Sequence, residues 1–139
     1  MTLFKLPLAH KLLLYLSIAL ISQEGIAQDY IAPEDAIAEL SNQTFLFSLK
    51  GQAPYGMETY LSGNRVIWTF LDGECISGVW AIEETDICYT YQGDPTPKCW
   101  QFLQLDEGLG AVYKNDPNST EIFLLEPVPN AMVCTDLSS

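Results

Sequence analysis

From Ser41 onward the sequence is cut at short intervals by turn signals, and the stretches between them alternate apolar and polar residues with a period of two. Residues 44–49 (TFLFSL), 57–62, 65–71, 74–83, 87–91, 98–105, 110–114 and 120–125 read as strands. Between them stand Gly63-Asn64, Asp72-Gly73, the breaker-rich run QGDPTP over 92–97, and Asn115-Asp116-Pro117-Asn118. None of the gaps has room for a crossover helix, so parallel pairing is excluded and an antiparallel meander is expected. An all-β chain of about eight such strands closes into an up-and-down barrel or curls strongly, because closure removes exposed edges.

The stretch before the strands has another character. Pro33 suits a first helical turn, Glu34 and Asp35 favour a helix N-terminus, and Ile37 and Leu40 repeat at helical spacing. A short helix is expected over 33–40, with residues 28–31 as a loose leader. Residues 1–27 read as a signal peptide. Lys5 and Lys11 precede the apolar run LLLYLSIALI, and small residues at Gly25 and Ala27 suit cleavage. The run is about ten residues, and a span needs roughly 20. The expected divisions are therefore 1–27 as signal, 28–41 as leader and helix, and 42–139 as barrel domain with a C-terminal tail. A secreted or periplasmic location follows, without stable membrane insertion after cleavage.

The full chain of 139 residues carries 6 basic and 18 acidic side chains, a net charge of −12. Loss of Lys5, Lys11 and Glu24 with the signal would make it −13 (4 basic, 17 acidic). Such a surface repels nucleic acid, and no nucleic-acid partner is expected.

Four cysteines, Cys75, Cys88, Cys99 and Cys134, all follow the signal. An even count in a small exported domain argues for disulfides. No CxxC occurs and the only histidine is His10, so a zinc site would need all four scattered thiolates, and no metal is expected. Cys88 and Cys99 flank the 92–97 turn on neighbouring strands and form the first expected pair. Cys75 and Cys134 form the second.

If Gly63-Asn64 and Asp72-Gly73 are two-residue turns, one face carries Met57, Leu61, Val66, Trp68, Phe70, Cys75 and Val79. That is the expected core face. Glu58, Tyr60, Ile76, Trp80 and Ile82 then lie on the other face, unless a bulge at Gly78 carries Trp80 inward.

The chemistry available is narrow. Without a histidine after the signal there is no Ser-His triad, and paired cysteines leave no thiol nucleophile. No glycine loop cradles a phosphate, and no cofactor is expected. Carboxylates remain. Glu83, Glu84 and Asp86 form one acidic turn and Asp72 with Glu74 another, which would matter only if two carboxyls flanked a substrate cleft. Tyr60, Trp80, Tyr89, Tyr91 and Trp100 are candidates to line a ligand pocket, although aromatic residues in small barrels more often fill a core.

The run SGVWAIEETDICYTY followed by KCW resembles a pattern in small secreted bacterial proteins of unknown function. There a Gly-x-Trp strand precedes a Cys-containing strand and a second Cys beside an aromatic. The matches are Gly78, Trp80, Cys88, Cys99 and Trp100. A looser resemblance is to the lipocalin-like barrel of bacterial metalloprotease inhibitors, which implies an eight-stranded barrel and an N-terminal segment entering a protease cleft. Neither implies catalytic residues. The expected function is that of an exported, non-enzymatic binding protein for a small molecule or a protein. The alternatives are an inhibitor of a secreted protease acting through residues 28–32, and a carboxylate-dependent enzyme.

Overall fold

Pro33 begins the one helix among the described residues, α1 (Pro33–Leu40), with Glu34 and Asp35 in its first turn where they oppose the helix dipole. Its spacing puts Pro33, Ala36 and Leu40 on one buried stripe, and the Ser41 N–H closes the last turn on Ile37 O at 2.9 Å. The computed structural model describes residues 28–130, 132, 134 and 135. The signal segment expected over 1–27 lies outside the described residues.

After α1 the chain forms eight strands: β1 (Thr44–Leu49), β2 (Gly56–Leu61), β3 (Arg65–Thr69), β4 (Ile76–Glu83), β5 (Asp86–Tyr91), β6 (Asp94–Leu105), β7 (Gly108–Tyr113) and β8 (Phe123–Val128). Each pairs antiparallel with the next, and β8 returns to β1 from Thr44↔Val128 to Leu49↔Phe123. The sheet is a closed barrel, so the all-β meander with a short helix is the fold. Closure also places Pro127 inside β8, beside Phe45, where a proline in the sequence suggests an end to the sheet. The breaker-rich run 92–97 is mostly strand. Tyr91 pairs with Asp94 across Gln92-Gly93, and the ladder shifts between Tyr89 and Tyr91.

Two turns are wider than their dipeptides suggest, and that corrects the core face. Leu61 pairs with Arg65 and Tyr60 with Val66, leaving Ser62 outside the ladder together with Gly63 and Asn64. A slip of one residue exchanges the two faces of a strand. Glu58 and Tyr60 therefore face the interior, while Met57 and Leu61 are only half-buried on the outside. Around Asp72-Gly73 the last pair is Trp68↔Ile76, and residues 70–75 between β3 and β4 form a loop. Its Glu74 N–H donates to Asp72 Oδ1 at 3.0 Å. Ile76, Gly78, Trp80 and Ile82 of β4 face inward, and Val79 is 53 % exposed. Trp80 reaches the interior through regular pairing with Tyr89, without the bulge considered for Gly78.

Both expected disulfides form among the described residues. Cys88 and Cys99 are directly opposed across β5 and β6, with Cα atoms 4.0 Å apart. Cys75 in the 70–75 loop joins Cys134, with Cα atoms 5.6 Å apart. Thr135 reinforces that anchor, its N–H and Oγ1 both donating to Gly73 O at 3.0 and 2.7 Å.

The barrel has two unlike ends. At one, Ala36 and Leu40 of α1 join Phe45, Tyr60, Ile87, Phe102, Leu109 and Leu125 in a continuous buried cluster, so the helix plugs it. The leader is fixed there too. Ile31 N–H donates to Phe102 O and Gln104 N–H to Asp29 O, each at 3.0 Å, and Tyr30 bridges Leu103. Residues 29–31 are thus fastened to β6 by an isolated β-bridge, a correction to the loose leader expected. No helix among the described residues is long and apolar enough to cross a membrane.

Candidate functional site

The end opposite α1 holds a cavity of about 390 Å³, within the usual range for small-molecule sites. Its walls follow from strand alternation. The inward positions there are Phe47 of β1, Glu58 and Tyr60 of β2, Trp68 of β3, Ile76 of β4, Tyr89 and Tyr91 of β5, Lys98, Trp100 and Phe102 of β6, Tyr113 of β7 and Phe123 of β8. Tyr55 and Phe70 add to the mouth from the loops beside β2 and β3.

The aromatic rings hold one another in edge-to-face and tilted pairs. Trp68 meets Phe47, Tyr55 and Phe70 with centroids 5.3, 5.8 and 5.4 Å away. Phe123 meets Tyr55 at 5.8 Å and Trp100 at 5.1 Å, and Trp100 meets Tyr113 at 4.9 Å. Such pairs add about 0.5–1.5 kcal/mol each beyond area burial. A glycine makes room for the largest ring, since a Cβ at Gly56 would overlap the indole of Trp68.

Below this collar lies the polar part. Glu58 is 2 % exposed and lines the cavity. Tyr91 Oη donates to both its oxygens, Oε1 at 2.9 Å and Oε2 at 3.1 Å. Tyr60 and Tyr89 share a hydrogen bond of 2.9 Å between their hydroxyls. Burial raises the Glu58 carboxyl well above the usual carboxylate range, and the Tyr91 hydrogen bond offsets this only in part. Burial likewise raises Tyr60, Tyr89 and Tyr91 above the ordinary phenol value, and brings Tyr55 up to about 12. The four phenols therefore remain hydroxyl donors throughout the physiological range. At the rim Lys98 Nζ meets Asp94 Oδ2 at 2.7 Å.

Of the aromatic residues singled out from the sequence, Tyr60, Tyr89, Tyr91 and Trp100 line this cavity. Trp80 does not; it packs against the buried cluster. Sequence reasoning misses Glu58 because a two-residue turn at Gly63-Asn64 would put it outside. The alternation GMETYL puts Glu58 on one face with Tyr60 but does not say which face is inward.

The acidic turns lie elsewhere. Glu83 and Glu84 are exposed in the β4–β5 hairpin, and Asp86 accepts from Gln101 Nε2 at 2.8 Å. Neither these nor Asp72 and Glu74 line the cavity. Glu83 approaches the sulfurs of Cys88 and Cys99, but a disulfide offers no thiolate to a metal.

No family model, curated protein or solved structure matches this chain. The resemblances to the Gly-x-Trp secreted proteins and to metalloprotease-inhibitor barrels gain no support from these comparisons. The functional reading rests on the geometry of the cavity.

Proposed function

We propose that the protein is an exported binding protein that holds a small, mostly apolar molecule in the open end of its barrel. The observation that carries this is the cavity itself, with aromatic walls and a buried carboxyl beneath. A wholly structural core would leave neither a void of this size nor a carboxyl at its edge, because interiors are close-packed and buried polar groups are costly. The disulfides and the signal-like leader of the sequence support export. The inhibitor alternative has a specific obstacle: residues 29–31 would have to leave their pairing with β6 to enter a protease cleft. The enzyme alternative would need two free carboxyls flanking one cleft. Of the two acidic residues lining the cavity, Asp94 is paired with Lys98.

N-phenyl-1-naphthylamine, an uncharged fluorescent aromatic, tests the reading. Its emission should rise and saturate with one molecule per chain. The Ile76→Trp variant, which fills the cavity from β4, should weaken binding at least tenfold while keeping the wild-type circular dichroism. Undiminished binding by that variant would place the probe elsewhere.

A further inference from the structure

The lining of the cavity is specific about charge. Glu58 is the acidic residue at depth, and its hydrogen bonds come from a single neutral donor, Tyr91 Oη. A carboxylate has about four acceptor sites, so about half of its capacity is unspent. Lys98, the basic side chain of the lining, is held by Asp94 at the rim. The remaining walls are aromatic faces, which attract cations, and the chain's net charge of −12 draws cations toward it. An organic anion would meet Glu58 and the negative faces of the rings, and a purely apolar molecule would leave the carboxyl without a new partner.

From this we infer that the cavity takes an organic amine, a flat apolar body with one protonated nitrogen that sits on the Glu58 carboxylate among the aromatic rings. This rests on the proposal that the cavity is a ligand site and adds the class of ligand. Binding includes a proton step. Burial favours the neutral acid of Glu58 in the unliganded site and the incoming ammonium favours the carboxylate, so where Glu58 is protonated its O–H bond breaks and its proton leaves to solvent. The groups facing Glu58 are the hydroxyls of Tyr55, Tyr60, Tyr89 and Tyr91, with Asp94 and Lys98 lining the same cavity and uncharged Phe45 and Trp68 on the flanking strands. The phenols do not titrate between pH 5 and 8, so the pH dependence there belongs to Glu58.

Three indoles of similar shape separate the outcomes: tryptamine (cation), 3-ethylindole (neutral) and indole-3-propionate (anion), each titrated by calorimetry. Tryptamine should bind at least about tenfold tighter than 3-ethylindole at pH 8, the worth of a charged hydrogen bond, and indole-3-propionate should be the weakest. Tryptamine affinity should rise from pH 5 to pH 8, with proton release into the buffer, while that of 3-ethylindole stays level. In Glu58→Gln the preference for tryptamine should shrink to within about twofold and the proton release should vanish. Equal affinity for tryptamine and 3-ethylindole, or a pH-independent tryptamine affinity, would overturn the amine inference and leave the cavity as a neutral-ligand site. Failure of all three indoles and of N-phenyl-1-naphthylamine would overturn the ligand site itself. The wild-type pH series separates these outcomes even if the Glu58→Gln variant does not fold.

Discussion

Glu58→Gln should raise the melting temperature of the unliganded protein at pH 8 and leave it nearly unchanged at pH 4. The buried carboxyl is raised well above its ordinary value in the folded chain, with burial as the main cause. The folded state therefore holds this proton more tightly than the unfolded state. The stability from the neutral acid is complete below the unfolded value, near 4.5, and declines as pH rises from there through the folded value. Each pH unit between the two values is worth about 1.4 kcal/mol, and 1 kcal/mol moves the midpoint of a domain of this size by about 4–8 °C. The amide introduced by Glu58→Gln keeps an acceptor for Tyr91 Oη and has no proton to lose, so the midpoint of that variant should lack this decline. Calorimetric midpoints from pH 4 to pH 9 measure the effect. Parallel curves for the two proteins would show that Glu58 ionises as easily folded as unfolded.

The second large effect belongs to the tail. Cys75→Ala with Cys134→Ala should lower stability by about 4 kcal/mol, because the bond closes a loop with a sequence separation of 59 residues. Cys88→Ala with Cys99→Ala should cost less, about 3 kcal/mol for a separation of 11, since β5 and β6 stay paired around the gap. With the Cys75–Cys134 bond removed, the described part of the tail would still have the two hydrogen bonds from Thr135 to Gly73 O. Urea unfolding of the two double variants should rank them in that order. The opposite order would mean that the β5–β6 staple, not the tail bond, carries the larger constraint.

The parts of this fold that depend on local chemistry are legible in the sequence. Pro33, Glu34 and Asp35 announce α1, and short alternating runs with no helix between them allow only a meander. Closure is one of two options from the sequence, and it depends on the β1–β8 ladder, between strands remote in sequence. The interior of β2 is not legible, for a physical reason. Gly63 and Asn64 do take the positive φ angles, 72° and 58°, that a tight turn requires. The ladder nevertheless closes at Leu61↔Arg65, and that single step exchanges Met57 and Leu61 for Glu58 and Tyr60. An acidic residue is placed inside a barrel only by tertiary register, and no propensity argument on β2 alone could put it there. The aromatic residues are easier, because β5 and β6 can be assigned from their runs and their alternation brings Tyr89, Tyr91 and Trp100 to one face.

The three tryptophans provide the most direct test of the cavity as a ligand site. Trp68 and Trp100 line it, and Trp80 faces the buried cluster. Their indole N–H signals can be assigned by Trp→Phe substitution and followed by nitrogen–proton NMR as N-phenyl-1-naphthylamine is added. The signals of Trp68 and Trp100 should shift together and saturate, with that of Trp80 nearly still. A titration that moves Trp80 most, or moves none of the three, would contradict ligand binding at the open end of the barrel.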